Sequence, residues 1–146
     1  MLFRSLVMHL LDTDTLTHLH AGHPQVIAHV RAVDDPVVGT TIITKSELLR
    51  GRIDFLLKAA TGAELLRAQQ WFTRTEELLA QILIIPFDEI AAAQFDRLQV
   101  NKAYRKIGRA DLLIASIALA NRATLVTRNV RHFRQIHGIR VINWVD

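Results

Sequence analysis

Leu6-Val7-Met8-His9-Leu10-Leu11-Asp12-Thr13-Asp14-Thr15-Leu16 decides how the rest of the chain is read. Leu6 to Leu11 is a short, mostly apolar run of the kind that forms a strand buried on both faces. It stops on two carboxylates, Asp12 and Asp14. A strand that is buried throughout and ends on acids belongs in a parallel sheet covered by helices, with its carboxyl end turned toward chemistry.

Outward from that run, β-rich segments alternate with segments of helical period. Thr15 to Ala21 and Pro24 to Val33 read as helices, with Pro24 suited to a first turn. Val37 to Ile43, flanked by Pro36 and containing Gly39, reads as the second strand. A helical stretch runs from Lys45 to a break at Thr61-Gly62, and Ala63 to Gln81 repeats Leu65, Leu66, Trp71, Phe72, Leu78 and Leu79 at helical spacing. Ile82 to Ile85 is a third strand stopped by Pro86. Asp88 to Arg105 reads as one helix, and Gly108 separates it from Ala110 to Asn121. Thr124 to Thr127 is a fourth strand, Val130 to Ile136 a short helix, and Arg140 to Trp144 a last strand. The expectation is a single domain over residues 1–146, a three-layer α/β/α sandwich around a mainly parallel sheet of about five strands.

Composition narrows the function classes. The chain has 146 residues, half of them hydrophobic and 22% charged, the balance of a globular protein with one buried core. With no cysteine there is no disulfide framework and no thiolate zinc site, which fits a cytoplasmic setting. No apolar run approaches the ~20 residues of a membrane span, and no secretory signal is evident. Met1 to Val7 has two readings, a leader from an upstream start or an extension of the first strand. The net charge is +4, and nine of the 18 Lys and Arg lie between Lys102 and Arg140, where Asp111 is the one acid. Such a field draws polyanions, although a solvated basic surface without a partner has the same composition.

The acids recur at the ends of strands and the starts of helices. Asp12 and Asp14 follow the first strand, Glu47 lies in the first turn after the second, Asp111 opens the helix leading to the fourth, and Asn129 follows the fourth. In the expected fold Asp12, Glu47, Asp111 and Asn129 converge on one rim of the sheet. Gathered carboxylates raise one another's pKa unless a cation sits among them, and an all-oxygen set suits Mg²⁺ or Mn²⁺. Water activated by such a metal for in-line attack on phosphorus is the matching chemistry. Each acid also has a structural reading. Thr44-x-x-Glu47 fits a capping box, Asp111 suits a helix dipole, and Asp12 or Asp14 could be an N-cap. Histidines 9, 18, 20 and 23 crowd the first motif, and His132 and His137 lie near the fourth, but no spacing pairs any of them with an acid as a general base. Phosphate-binding glycine loops are absent.

Taken together and in order, these segments resemble a known family. Leu10-Leu11-Asp12-Thr13-Asp14-Thr15-Leu16 resembles the opening motif of PIN-domain ribonucleases. Ser46-Glu47-Leu48-Leu49-Arg50-Gly51 is similar to their central Glu motif, and Gly108-Arg109-Ala110-Asp111-Leu112-Leu113-Ile114-Ala115 to their third acidic motif. Leu125-Val126-Thr127-Arg128-Asn129-Val130-Arg131-His132-Phe133 resembles the fourth, and Val141-Ile142-Asn143-Trp144 the closing strand.

The nearest resemblance is to VapC toxins. It implies a Mg²⁺- or Mn²⁺-dependent endoribonuclease acting on structured RNA such as tRNA or rRNA, with Asp12, Glu47 and Asp111 as metal ligands. Asn129 stands where many members have Asp, and as an amide it would orient water or phosphate without adding charge. One tightly held metal is then expected rather than two. Thr13, Thr127 and Asp14 would support the site, and Arg109, Arg128, Arg131, Arg50 and Arg52 would meet RNA phosphates. The resemblance further implies a homodimer, or a heterotetramer or larger assembly with a VapB-type antitoxin whose C-terminal segment carries a basic side chain into the site. The apolar face of Ala63 to Gln81, with Trp71 and Phe72, is suited to receive such a partner, although ordinary core packing explains at least half of that face.

Three other readings stay open. Asp12-Thr13-Asp14 also resembles the Asp-x-Asp nucleophile motif of haloacid-dehalogenase-like phosphatases, but a later acidic pair is required and Asp34-Asp35 come too early. A PIN-like module that binds RNA or a partner without cutting is the second. An RNA-processing PIN nuclease without an antitoxin is the third.

Overall fold

The computed structural model describes residues 8–33 and 37–146. The two readings of Met1 to Val7, the expected strand start at Leu6, and Asp34, Asp35 and Pro36 lie outside the described residues. In chain order the elements are β1 (Met8–Leu11), α1 (Thr13–His20), α2 (Pro24–Ala32), β2 (Val37–Thr41), α3 (Ile42–Lys58) and α4 (Gly62–Gln81). They continue with β3 (Leu83–Ile85), α5 (Glu89–Gln99), a 3₁₀ turn (Lys102–Tyr104), α6 (Arg109–Ala120), β4 (Thr124–Val126), α7 (Val130–Phe133) and β5 (Arg140–Ile142).

The five strands pair in parallel in the order β3-β2-β1-β4-β5. Successive side chains of a strand point to opposite faces, so the apolar runs feed two cores. Leu10 and Leu125 face a core shared with Ile114, Ile117 and Leu98 of α6 and α5. Leu11 and Val126 face the other, which holds Leu16 and Val26 of α1 and α2, Leu79 of α4, and Trp144. The result is the expected three-layer α/β/α arrangement. Gly39 is required where β2 meets β3, because a Cβ there would stand 2.6 Å from the Leu83 carbonyl oxygen.

The chain leaves β1 toward β2 and β3 on one side, then returns to build β4 and β5 on the other. The switch point therefore lies between β1 and β4, where ligands bind in open parallel sheets. The Asp12 N–H extends the pairing there, donating to the Val126 carbonyl at 3.0 Å.

Several boundaries differ from expectation. Helix α3 begins at Ile42, inside the expected second strand, because the Thr41 hydroxyl caps it by accepting from the Thr44 N–H at 3.1 Å. Helix α1 starts two residues early for the same kind of reason, with Asp12 as its cap. The expected helix from Asp88 to Arg105 is two pieces. Helix α5 ends at Gln99, and Asn101 then caps the 3₁₀ turn through the Ala103 N–H. That turn buries Tyr104, whose hydroxyl accepts from the His137 N–H at 3.0 Å.

Candidate active site

At the carboxyl ends of β1 and β4 lies an open cleft of about 540 Å³. Asp12, Asp14, Glu47 and Asp111 all line it, with Asn129 and Thr13. Side chains far apart in the sequence, from Asp12 to Asn129, thus share one pocket. Ile114 and Phe133 supply its apolar wall, and Arg128 and Asp146 complete the rim.

Asp12 reaches the cleft because β1 runs straight into α1. Its Oδ1 accepts from the Thr15 N–H at 2.8 Å, so the carboxylate caps the helix while facing the cleft. The capping reading of Asp12 holds, and the cap leaves the side chain on the lining of the cleft. Burial pushes the Asp12 carboxyl above its usual range, and the nearby Asp14 charge adds to this. Hydrogen bonding by Thr127 and by the Thr15 N–H opposes it without overcoming it. No cation is paired with this carboxylate among the described residues.

Glu47 is not part of a capping box. Thr41 caps α3, which frees Glu47 to accept from the Thr13 hydroxyl at 2.8 Å. The same hydroxyl lies 3.3 Å from the Thr44 hydroxyl, which in turn lies 3.5 Å from that of Thr41. Buried threonines floor this side: Thr40 donates to the Leu11 carbonyl at 2.6 Å, and Thr15 to the Val126 carbonyl at 3.2 Å.

On the other side Asp111 lies in the first turn of α6, and its Oδ2 is 3.0 Å from His132 Nε2 on α7. Sequence spacing gave no such acid–histidine pair; the packing of α7 against α6 makes it. Asp14 is exposed and 3.6 Å from His18 Nδ1 one turn along α1. Asn129 lines the cleft, and its backbone N–H donates to the Thr127 hydroxyl at 3.0 Å. Asp146 was not among the expected site residues.

The arginines divide. Arg128 lines the cleft, whereas Arg50, Arg109 and Arg131 do not. Arg109 lies over the Phe95 ring, 5.3 Å from its centroid. Arg52 is committed to packing: its guanidinium sits 4.8 Å over Trp71, and its Nε donates to the Thr75 hydroxyl at 3.0 Å, fastening α3 to α4.

A PIN-domain family model matches residues 9–139. The chain belongs to the PIN-domain family. Ribonuclease VapC2 of Rickettsia felis is 32% identical over 80 residues, a match covering 53% of this chain and 60% of that protein. Ribonuclease VapC1 of Haemophilus influenzae is 25% identical over 142 residues, covering 94% of this PIN domain and 98% of its relative. In fold, it is similar to a chain in the crystal structure of VapBC2 from Rickettsia felis bound to a promoter DNA fragment. The TM-score is 0.78 at 24% identity, over 94% of this chain and 99% of that one. With the family given, the phosphatase reading of Asp12-Thr13-Asp14 is set aside.

The donors of the cleft suit a hard cation. They are carboxylate, amide and hydroxyl oxygens, and the most enclosed carboxylate, Asp12, lacks a positive partner, a burial of charge that a cation would relieve. Among the described residues no three acidic or histidine side chains are drawn together into a ready-made chelate. An open site of this kind fits Mg²⁺ or Mn²⁺, which keep several waters and reach some ligands through them. Among the described residues no helix is long and apolar enough to cross a membrane.

Proposed function

We propose that this PIN domain is a Mg²⁺- or Mn²⁺-dependent endoribonuclease, the toxin of a VapBC-type pair, hydrolysing phosphodiester bonds in structured RNA such as tRNA or rRNA. The observation that carries this reading is the single cleft at the β1/β4 switch point lined by Asp12, Glu47 and Asp111. The relatives named as VapC ribonucleases support the activity and its substrate class.

In this reading Asp12, Glu47 and Asp111 hold the metal, which supplies Lewis acidity at the scissile phosphate and a nucleophilic water near neutral pH. Thr15 and Thr127 help keep Asp12 ionised, and Thr13 fixes the rotamer of Glu47. His132 orients Asp111. Asn129 aligns water or a phosphate oxygen through its amide, and the Arg128 guanidinium takes a phosphate of the RNA strand. The basic last third of the chain raises the rate of encounter with RNA.

The antitoxin partner is proposed on two grounds. Similar structures are of VapBC complexes, and α3 and α4 leave Phe55, Leu57, Leu65, Leu66 and Trp71 exposed. Phe72 is half-buried and belongs largely to packing. The test is incubation of purified protein with total RNA and Mn²⁺, followed by sequencing of the new ends. Discrete cuts made by wild type and absent with Asp12→Asn are expected. Intact RNA with both proteins would leave a binding module in place of the enzyme.

A further inference from the structure

After β5 the chain folds back on the cleft and is held there. Trp144 is 2% exposed and stacks with two imidazoles, His9 of β1 at 5.2 Å and His29 of α2 at 5.5 Å between ring centroids. Val145 is buried beside it. The Asn143 side chain closes a turn, its Oδ1 accepting from the N–H of Val145 at 2.8 Å and of Asp146 at 3.3 Å. Its Nδ2 donates to Asp146 Oδ2 at 2.9 Å. The anchored turn sets the Asp146 carboxylate on the rim of the cleft.

There it meets Arg128 side by side, Nε to Oδ2 and Nη2 to Oδ1, each at 3.3 Å. A guanidinium fork accepts a carboxylate or a phosphate in the same geometry. Arg128 is the basic side chain lining a cleft that otherwise holds Asp12, Asp14, Glu47 and Asp111. It is therefore the cleft's own attraction for an incoming phosphate, and Asp146 covers it. The contact is longer than the 2.7–2.9 Å usual for charge-assisted bonds, and the two side chains are 47% and 59% exposed. Exposed pairs of this kind hold together only weakly. A polyanion with several contacts can displace such a carboxylate, whereas an isolated phosphate gains little by doing so.

We propose that Asp146 is a positioning residue that acts as an internal phosphate mimic, holding the Arg128 fork until a phosphate of the bound RNA strand replaces it. The proposal rests on the reading of the cleft as an RNA-cutting site. It adds a substrate filter that favours extended strands over mononucleotides.

The test is fluorescence anisotropy of a labelled RNA oligonucleotide in EDTA, where binding is read without cleavage. Wild type, Asp146→Asn, Arg128→Ala and the double variant are compared. Asp146→Asn should tighten binding up to about 5-fold, the scale of an exposed ion pair, and in the Arg128→Ala background its effect should shrink to less than about 2-fold. Asn143→Ala, which changes no charge but releases Asp146, should tighten binding in the same direction. Equal tightening by Asp146→Asn with and without Arg128 would reduce the effect to general electrostatics and overturn the proposal. So would wild-type affinity in Asp146→Asn. Absence of RNA binding in every protein would instead remove the RNA reading and, with it, this one.

Discussion

The two walls of the cleft handle negative charge differently. On the wall built by β1, α1 and α3, Asp12 and Glu47 are held by neutral donors, the Thr15 N–H and the hydroxyls of Thr127 and Thr13. On the wall built by α6, α7 and the segment after β5, each acid faces a basic side chain: Asp111 meets His132 and Asp146 meets Arg128. Among the described residues Asp12 thus has no cationic side chain against it on the first wall, whereas on the second an imidazole stands against Asp111 and a guanidinium against Asp146. A cation entering the cleft would gain most beside Asp12.

The largest effect should come from Asp12. Asp12→Asn keeps an N-cap of equal quality but removes the charge, and RNA cleavage should fall by at least about 10³-fold. The sign for stability is opposite. Burial raises the folded-state pKa of Asp12, so between its unfolded and folded values the native state binds the extra proton, and stability declines as pH rises through that window. At neutral pH without metal, Asp12→Asn should therefore raise Tm by about 2–4 °C, measured by thermal melting in EDTA. A lower Tm would mean that the carboxylate is not strained by its surroundings.

Breaking the second wall should do less. His132→Ala should reduce activity by about 10–100-fold, the usual scale for losing a group that orients a ligand, with the metal concentration for half-activation rising. If activity falls while that concentration is unchanged, His132 acts on RNA and not through Asp111. Thr13→Val tests the tether of Glu47, one hydrogen bond worth about 1 kcal/mol, and should weaken metal activation about 5-fold in a Mg²⁺ titration. Unchanged activation would show that Glu47 needs no such support.

The smallest effect concerns the anchor of the second wall. Burial, and then the Arg140 charge, hold the His9 pKa below its usual value, and its buried Nδ1 has no partner among the described residues. A depressed histidine pKa means that the unfolded chain takes up the proton first as pH falls below about 6.5. Stability present at neutral pH is lost through that range. His9→Phe should preserve the stack on Trp144 and flatten urea midpoints between pH 7 and pH 5. Parallel pH profiles for the two proteins would remove His9 from the acid response.

Much of this arrangement is legible in the residues because it is written in short-range patterns. The apolar pairs Leu10-Leu11 and Leu125-Val126 announce strands buried on both faces, and the acids after them mark the sheet rim. Other features are carried by contacts between distant segments. The end of α5 is marked in the sequence by Asn101 alone, and what makes that residue a stop is its cap on the 3₁₀ turn together with the burial of Tyr104. Thr44-x-x-Glu47 has the form of a capping box, yet the hydroxyl that caps is three residues earlier and Glu47 turns to Thr13. Asp146 carries no motif; only the buried Trp144 and the Asn143 turn bring it to the cleft.

The central claim is that oxygens from β1, α3 and α6 share one divalent ion, and titration with Mn²⁺ followed by the EPR signal of the free ion tests it most directly. One saturable site is expected in wild type, abolished by Asp12→Asn and weakened by Glu47→Gln and by Asp111→Asn. Saturable binding that all three variants leave intact, or no binding by the wild-type protein, would contradict it.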